Sequence, residues 1–202
     1  MAVQCHMSEG HARRVPRELQ SLPYMDPERL LLDLRRIEQE LPLQTLRYSA
    51  SSLRTHELKR FGEGRQAAIF CYGMSRLLGL QVQFAQAEMK DFDIIARYIA
   101  NDEVSYVPVQ LKEWVPGTVN PQASLQGEID KLAKYADSKD LVVAFYLNRR
   151  AHVTFSELRL PERRLGELWF FWAADPLQSR WMLSGNMLDA NARAYEFLYP
   201  TG

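Results

Sequence analysis

The chain has 202 residues, of which 47% are hydrophobic and 25% charged, and this composition predicts an ordinary soluble globular protein. Its 25 basic and 25 acidic side chains cancel, so binding to a polyanion would depend on a local basic patch. The longest apolar runs, Leu141–Leu147 and Leu168–Ala174, fall far short of the ~20 residues that a membrane-spanning helix needs, so we expect no membrane partner.

The N-terminus and the cysteines bear on domain organisation and compartment. The first residues are polar and carry no visible secretory signal, and Cys5 and Cys71 are the only cysteines. Both features favour a reducing, cytoplasmic location. We expect a flexible lead-in over residues 1–25 and a single α/β domain over residues 26–202, with its core at about residues 55–148.

A first helix is predicted from the sequence Asp26-Pro27-Glu28, in which an acidic N-cap precedes proline and a second acid. Apolar residues then recur at helical spacing up to Pro42. A second, longer helix is predicted over Thr55–Leu78, with Gly79 as its C-terminal cap.

The long helix carries an acid on its apolar face. Ala67, Phe70 and Met74 form the apolar stripe, and Glu63 lies four residues before Ala67, so it shares that face. Gly62 and Gly64 weaken the helix locally, and the helix could instead begin there. Either start places Glu63 at the beginning of the stripe.

Three strands are predicted next, at Leu80–Phe84, Asp91–Arg97 and Tyr106–Lys112, with a hairpin turn at Asn101–Glu103. Because strand side chains alternate, Asp93 lies on one face of its strand, and Gln110 and Lys112 share one face of theirs. If the two strands are neighbours, these polar groups meet at one place. Burying them costs several kcal/mol unless the charges are paired or hold a metal ion. Asp91 shares the face of Asp93, and we favour Asp93 because apolar residues follow it directly.

The second half of the chain continues the alternation of helices and strands. Asn120-Pro121 is expected to cap a helix that buries Leu125, Ile129, Leu132 and Ala136, and Leu141–Leu147 reads as a strand covered on both faces. Further strands are expected at His152–Leu158 and Glu167–Ala173, and a helix at Asp189–Leu198. The residues Trp169 to Trp172 would fill the core or form a homodimer interface. The order of elements predicts an α/β sandwich.

This chain resembles the PD-(D/E)xK nuclease superfamily over roughly residues 55–148. The resemblance consists of a helix with Glu63, an acid at a strand, Asp93, and the motif Gln110-Leu111-Lys112 on the next strand. It implies a restriction-endonuclease-like core, that is, a central mixed β-sheet flanked by helices, here with an N-terminal helical extension. Two positions depart from the family pattern: Phe92 precedes the aspartate in place of proline, and Gln110 replaces an acid, as in some Mrr-like restriction endonucleases.

The resemblance also implies a chemistry. Mg²⁺ or Mn²⁺ would be held by Asp93, Gln110, Glu63 and the carbonyl of Leu111, and Lys112 would act on the attacking water or on the charge of the transition state. The expected function is metal-dependent hydrolysis of DNA. The alternative is a catalytically silent nuclease-like domain that binds nucleic acid or a protein partner, an alternative that Gln110 favours.

Residues that could bind the phosphate backbone form two groups. The basic group around the long helix consists of Arg54, Lys59, Arg60 and Arg65. Lys131 and Tyr135 stand one turn apart on the predicted later helix, as does a phosphate-contacting pair in some exonuclease-like relatives. The alternative for the basic group is a solvated helix face, and for Lys131 and Tyr135 a plain surface face is the favoured interpretation.

Overall fold

The computed structural model describes residues 17–40, 59–87, 91–135, 138–161 and 165–201. None of the helices in these ranges is long and apolar enough to cross a lipid bilayer.

The described helices are α1 (Arg17–Gln20), α2 (Pro27–Glu40), α3 (Lys59–Leu78) and α4 (Leu125–Asp130), and a 3-10 helix, Lys131–Tyr135, continues α4. The predicted start of α2 is confirmed, because Oδ1 of Asp26 accepts a hydrogen bond from the amide of Glu28 at 2.9 Å. The C-terminal cap of α3 is confirmed as well, since Gly79 has a φ of 67°.

The described strands are β1 (Gln83–Gln86), β2 (Ile94–Ala100), β3 (Glu103–Trp114), β4 (Ser138–Leu147), β5 (Leu165–Ala173), β6 (Arg180–Gly185) and β7 (Arg193–Leu198). They form one sheet whose spatial order follows the chain. Strands β3, β4 and β5 run parallel, and the other neighbours pair antiparallel. The α/β class with a mixed sheet is therefore confirmed.

The predicted hairpin between β2 and β3 is also confirmed. Ala100 pairs with Glu103, which leaves a two-residue loop of Asn101 and Asp102. Both loop residues have positive φ, 51° and 63°, as a type I′ turn requires. This turn fixes the register in which Ile94 faces Val109 at the other end of the hairpin.

Each face of the sheet has its own core. On the face that we call the α3 face, Phe70 of α3 packs with Val109 and Leu111 of β3. On the opposite face, the α4 face, Ile129 and Tyr135 pack with the other side of the sheet. Every residue of Leu141–Leu147 in β4 is buried, and alternate residues belong to the two cores, so the predicted double coverage of this strand is confirmed.

Three predicted elements between residues 80 and 158 differ from the structure. β1 begins at Gln83, later than expected, because Val82 is held by Ser75 at the end of α3. α4 is capped by Ser124, whose hydroxyl accepts from the amide of Gly127 at 3.0 Å, and not by Asn120. Residues His152–Leu158 form no strand, only a short 3-10 helix at Phe155–Glu157. Ala136 lies outside the described residues.

The predicted terminal helix at Asp189–Leu198 is wrong, because Arg193–Leu198 forms strand β7, which pairs with β6. Strand β6 was not predicted from the sequence either. Phe197 explains strand β7. Its ring lies so close to Gly73 of α3 that an added Cβ there would stand 2.8 Å from it. An edge strand buries Phe197 while its neighbours Glu196 and Leu198 stay exposed, and it pairs with β6.

Met25 and the aromatic run of β5 both pack within the domain. Met25, in the expected lead-in, forms a β-bridge with Phe84 of β1. Trp169, Phe170 and Phe171 are buried inside the chain, and Trp172 is half-buried.

Candidate active site on strands β2 and β3

The hairpin register brings an acid and an amide together. Asp93 directly precedes Ile94, the residue that pairs with Val109, so Asp93 falls opposite Gln110. The amide of Asp93 donates to the carbonyl of Val109 at 3.0 Å, which extends the strand pairing to this position. The predicted meeting of these two side chains is therefore seen in the fold.

The carboxylate of Asp93 is held by two donors of β3. Its Oδ2 accepts from the backbone amide of Leu111 at 2.7 Å and from Nε2 of Gln110. Both donors lie on one strand, so the carboxylate is fixed against β3.

Gln110 is only 7% exposed, and its amide makes three contacts. Nε2 donates to Asp93 and, at 3.3 Å, to the carbonyl of Leu111, and Oε1 accepts from the hydroxyl of Tyr135 at 2.8 Å. A buried amide must satisfy its donors and its acceptor or lose stability, and this one satisfies both kinds of atom.

Lys112 lies two residues beyond Gln110 on the same face of β3 and is half-buried. Its Nζ stands 5.6 Å from the centroid of the Tyr135 ring, and Nζ of Lys134 stands 4.8 Å from the same centroid. Both ammonium groups therefore lie at one aromatic ring, whose hydroxyl contacts Gln110.

The start of α3, which carries Glu63, lies at the same end of the sheet on the other face. Gly64, its neighbour in α3, packs so closely on β1 that an added Cβ would lie 3.3 Å from Nε2 of Gln86. One turn later Gln66 donates to Oε2 of Glu113 at 3.2 Å, and Glu113 points away from Lys112 on β3. The first turns of α3 thus lie at the Asp93 end of the hairpin, on the α3 face.

The oxygen atoms at this site are of the types that bind hard cations. Among the described residues, no group of three or more His, Cys, Asp or Glu side chains could hold a metal ion. A different set is present: Nε2 of Gln110 lies between Oδ2 of Asp93 and the carbonyl oxygen of Leu111, so two oxygens already converge on a positively polarised group. Carboxylate, carbonyl and amide oxygens are the ligand types that Mg²⁺ takes, with water completing the octahedron.

No family model, no curated protein and no solved structure matches this chain. The residues of the site and their placement are therefore the evidence for its chemistry.

The residues predicted to bind nucleic acid have different positions. Arg54 and the side chains of Lys59 and Arg60 lie outside the described residues. Arg65 donates to Oε1 of Gln178 at 2.6 Å and lies 3.8 Å from Glu38, so it joins α3 to α2 and to the loop before β6.

The two residues predicted on the later helix diverge. Lys131 is exposed and forms an ion pair with Glu128 at 2.7 Å. Tyr135 points into the α4 face and is 7% exposed, so it contacts Gln110 and Lys112 from within the protein.

Two features near the site were not anticipated from the sequence. Tyr135 was singled out only as a phosphate contact, and nothing in its spacing indicates that it reaches Gln110. Glu113 accepts from Gln66 and, at 2.8 Å, from Asn148, so it ties α3 to the ends of β3 and β4. Side chains alternate along Gln110-Leu111-Lys112-Glu113, so the sequence indicates that Glu113 lies on the face opposite Lys112. That alternation is the feature from which a contact between Glu113 and a helix on the other face could have been predicted.

Cys71 takes no part in this chemistry. It is completely buried in α3, and burial raises the pKa of its thiol far above the ordinary range. A thiol that stays protonated is a poor nucleophile.

Proposed function

We propose that this protein is a metal-dependent nuclease that hydrolyses phosphodiester bonds in DNA at Asp93, Gln110 and Lys112. One observation carries the proposal: the carboxylate of Asp93 faces the Gln110 amide across an antiparallel strand pair, with Lys112 next on the same face of β3. A carboxylate, an amide and an ammonium at one end of a sheet are more than a packed core requires.

The topology supports a restriction-endonuclease-like core. The order α3, β1, β2, β3, α4, β4 has three antiparallel strands followed by one parallel strand, with the two helices on opposite faces. This is the order of elements expected from the resemblance of the sequence to PD-(D/E)xK nucleases. A fold does not fix an activity, which depends on the residues of the site.

The residues that would hold Mg²⁺ or Mn²⁺ are Asp93, Gln110 and Leu111 through its carbonyl, with Glu63 at the same end of the sheet. When bound, the ion would activate a water molecule and neutralise charge on the phosphate. Asp93 is positioned for this role before any ion arrives, because the amide of Leu111 already fixes its carboxylate.

Lys112 supplies the second part of the chemistry. Its ammonium can donate to a non-bridging phosphate oxygen or to the attacking water, and it stabilises the negative charge that grows in the transition state. The half-buried position beside Tyr135 limits the rotamers of the side chain, so less order has to be imposed when the substrate binds.

A second candidate function is a catalytically silent domain of the same fold that binds DNA or a protein. The observation that favours it is the closed hydrogen-bond set of Gln110, whose nitrogen covers Asp93 and whose oxygen is covered by Tyr135. In that case the Gln110 nitrogen replaces a cation, and the site needs none.

Calorimetric titration with Mg²⁺ and Mn²⁺ separates the two candidates. The nuclease predicts binding in the millimolar range or tighter by the native chain, and much weaker binding by Asp93→Asn. Absence of binding at these concentrations, together with retained affinity for DNA, would favour the silent domain. Asp189 is exposed and lies far from the site in the sequence, so Asp189→Asn controls for the loss of one negative charge.

A further inference from the structure

Tyr135 contacts both Gln110 and Lys112, the two polar residues of the Gln-x-Lys motif. It ends the 3-10 helix on the α4 face and is 7% exposed. Its hydroxyl donates to Oε1 of Gln110 at 2.8 Å, and its ring lies 5.6 Å from Nζ of Lys112.

The present orientation of the Gln110 amide follows from its neighbours. The ionised carboxylate of Asp93 and the carbonyl of Leu111 can only accept hydrogen bonds. The nitrogen of Gln110 must therefore face them, and its oxygen must face away. Tyr135 supplies the hydrogen that the oxygen then needs.

A cation held by Asp93 reverses this requirement. The ion repels the amide hydrogens and attracts the amide oxygen. The Gln110 amide is therefore more stable when it is rotated by half a turn about its Cγ–Cδ bond. The reversed amide directs its nitrogen towards Tyr135. A phenolic hydroxyl can accept as well as donate, so the same residue satisfies either orientation.

We infer that Tyr135 is the positioning residue of this site, and that its hydroxyl lets the amide of Gln110 turn its oxygen towards a cation bound at Asp93. The inference rests on the proposed function. It explains how a neutral amide can become an oxygen ligand beside Asp93 while one of its two N–H groups keeps a buried acceptor.

Nuclear magnetic resonance of the full chain tests the rotation directly, with Mg²⁺ alone as the probe. The side-chain amide signals of Gln110 are assigned by their absence in Gln110→Glu. Without Mg²⁺ these protons should lie close to the Leu111 backbone amide. With Mg²⁺ they should instead show cross-relaxation with the ring protons of Tyr135, while the Asp93 carboxyl carbon shifts.

Two results would overturn the inference, and they differ in what they say of the proposed function. If Mg²⁺ shifts the Asp93 carbon and the Gln110 protons keep their contact with Leu111, the rotation is wrong and the metal site stands. If saturating Mg²⁺ leaves the Asp93 carbon unchanged, both are wrong.

Variants of Tyr135 give a second test. Tyr135→Phe keeps the ring beside Lys112 but removes the donor to the Gln110 oxygen in the metal-free orientation and the acceptor for its nitrogen in the reversed one. Because an unpaired buried N–H is tolerated less well than an under-satisfied carbonyl, the reversed orientation loses more and Mg²⁺ affinity should fall several-fold. In the Gln110→Glu background the carboxylate has no hydrogen to leave unpaired, and the same change should leave the affinity unaltered. Equal losses in the two backgrounds would contradict the role given to the hydroxyl. Thermal melts of all four proteins control for a general loss of folding.

Discussion

Asp93 and Gln110 face each other across the β2–β3 pair, and the amide nitrogen of Gln110 donates to the carboxylate of Asp93. The same carboxylate accepts from the backbone amide of Leu111 at 2.7 Å. Asp93 is therefore both the principal candidate ligand of the site and the acceptor on which two donors of β3 depend. A substitution of Asp93 therefore affects both the candidate metal ligand and the hydrogen bonds of β3.

Asp93→Ala should destabilise the protein as well as inactivate it. The change leaves two donors of β3 without their acceptor, at a cost of about 1–3 kcal/mol for each that stays buried. Asp93→Asn retains one acceptor oxygen and should lose less. Urea unfolding of both variants measures the difference, and equal stability of Asp93→Ala and the native chain would show that water replaces the carboxylate.

Gln110→Glu should destabilise the metal-free protein and tighten Mg²⁺ binding. The substitution places two carboxylates side by side, and each raises the pKa of the other above its unfolded value. Such groups contribute most at low pH, so the variant should lose stability relative to the native chain as pH rises from about 4 towards neutrality.

Thermal melts with and without Mg²⁺ at pH 5 and pH 8 test this expectation. Added Mg²⁺ should recover the loss at pH 8, because the ion neutralises the paired charges. Gln122→Glu, at an exposed position, is the matched control and should respond to neither pH nor Mg²⁺. The same response in both variants would assign the effect to net charge.

Much of the site could be predicted because it is local in sequence. Two apolar runs separated by a short polar turn predict a hairpin, and the period of two then decides which side chains share a face. That reasoning predicted that Asp93 meets Gln110, as the structure shows, and that Lys112 shares the face of Gln110 on β3. It could not predict the partner of Gln110, because the position of Tyr135 depends on how the chain crosses from β3 to β4.

The C-terminal region shows why the rest of the fold was harder to predict. The residues before Phe197 include alanines and a glutamate, which favour a helix when they are considered alone. The strand β7 forms because β6 offers an edge and Gly73 of α3 leaves space for the Phe197 ring. Packing between distant segments overrides local propensity here.

Asp102→Gly should stabilise the β2–β3 hairpin. Asp102 has a φ of 63°, a conformation that costs a residue with a side chain roughly 1 kcal/mol and glycine nearly nothing. We expect a gain of about 0.5–1 kcal/mol in the free energy of unfolding. Asp102→Ala is the control and should lose stability, since alanine tolerates positive φ less well than aspartate. A loss in Asp102→Gly would indicate that the aspartate side chain has a partner in the turn.

Alkaline stability should depend on Tyr24. Burial raises the pKa of this phenol from 10.0 to about 12, assisted by Tyr106 and opposed by Arg97. Its hydroxyl donates to the carbonyl of Leu19 at 2.8 Å. Because the unfolded chain releases the proton first, the contribution of Tyr24 is complete below pH 10 and is lost as pH rises towards 12.

Tyr24→Phe should remove this part of the pH dependence. Urea unfolding of the native chain and of the variant between pH 8 and pH 11.5 would show two curves that converge at the alkaline end. Parallel curves over the whole range would mean that Tyr24 ionises in the folded protein as readily as in the unfolded one.

The two lysines at the Tyr135 ring offer a matched pair for the central question. Nζ of Lys112 and of Lys134 lie 5.6 Å and 4.8 Å from the ring centroid, but only Lys112 belongs to β3 beside Gln110. Each Lys→Met change removes one ammonium from the same ring and should alter stability by no more than about 1 kcal/mol.

The most direct measurement is cleavage of single- and double-stranded DNA in Mg²⁺ or Mn²⁺ by the native chain, Lys112→Met and Lys134→Met, at saturating DNA. The native chain and Lys134→Met should cut DNA only when the metal is present, and Lys112→Met should be inactive while remaining folded. Metal-dependent cleavage that survives in Lys112→Met, or no cleavage by the native chain in either metal, would contradict a nuclease site at Asp93, Gln110 and Lys112.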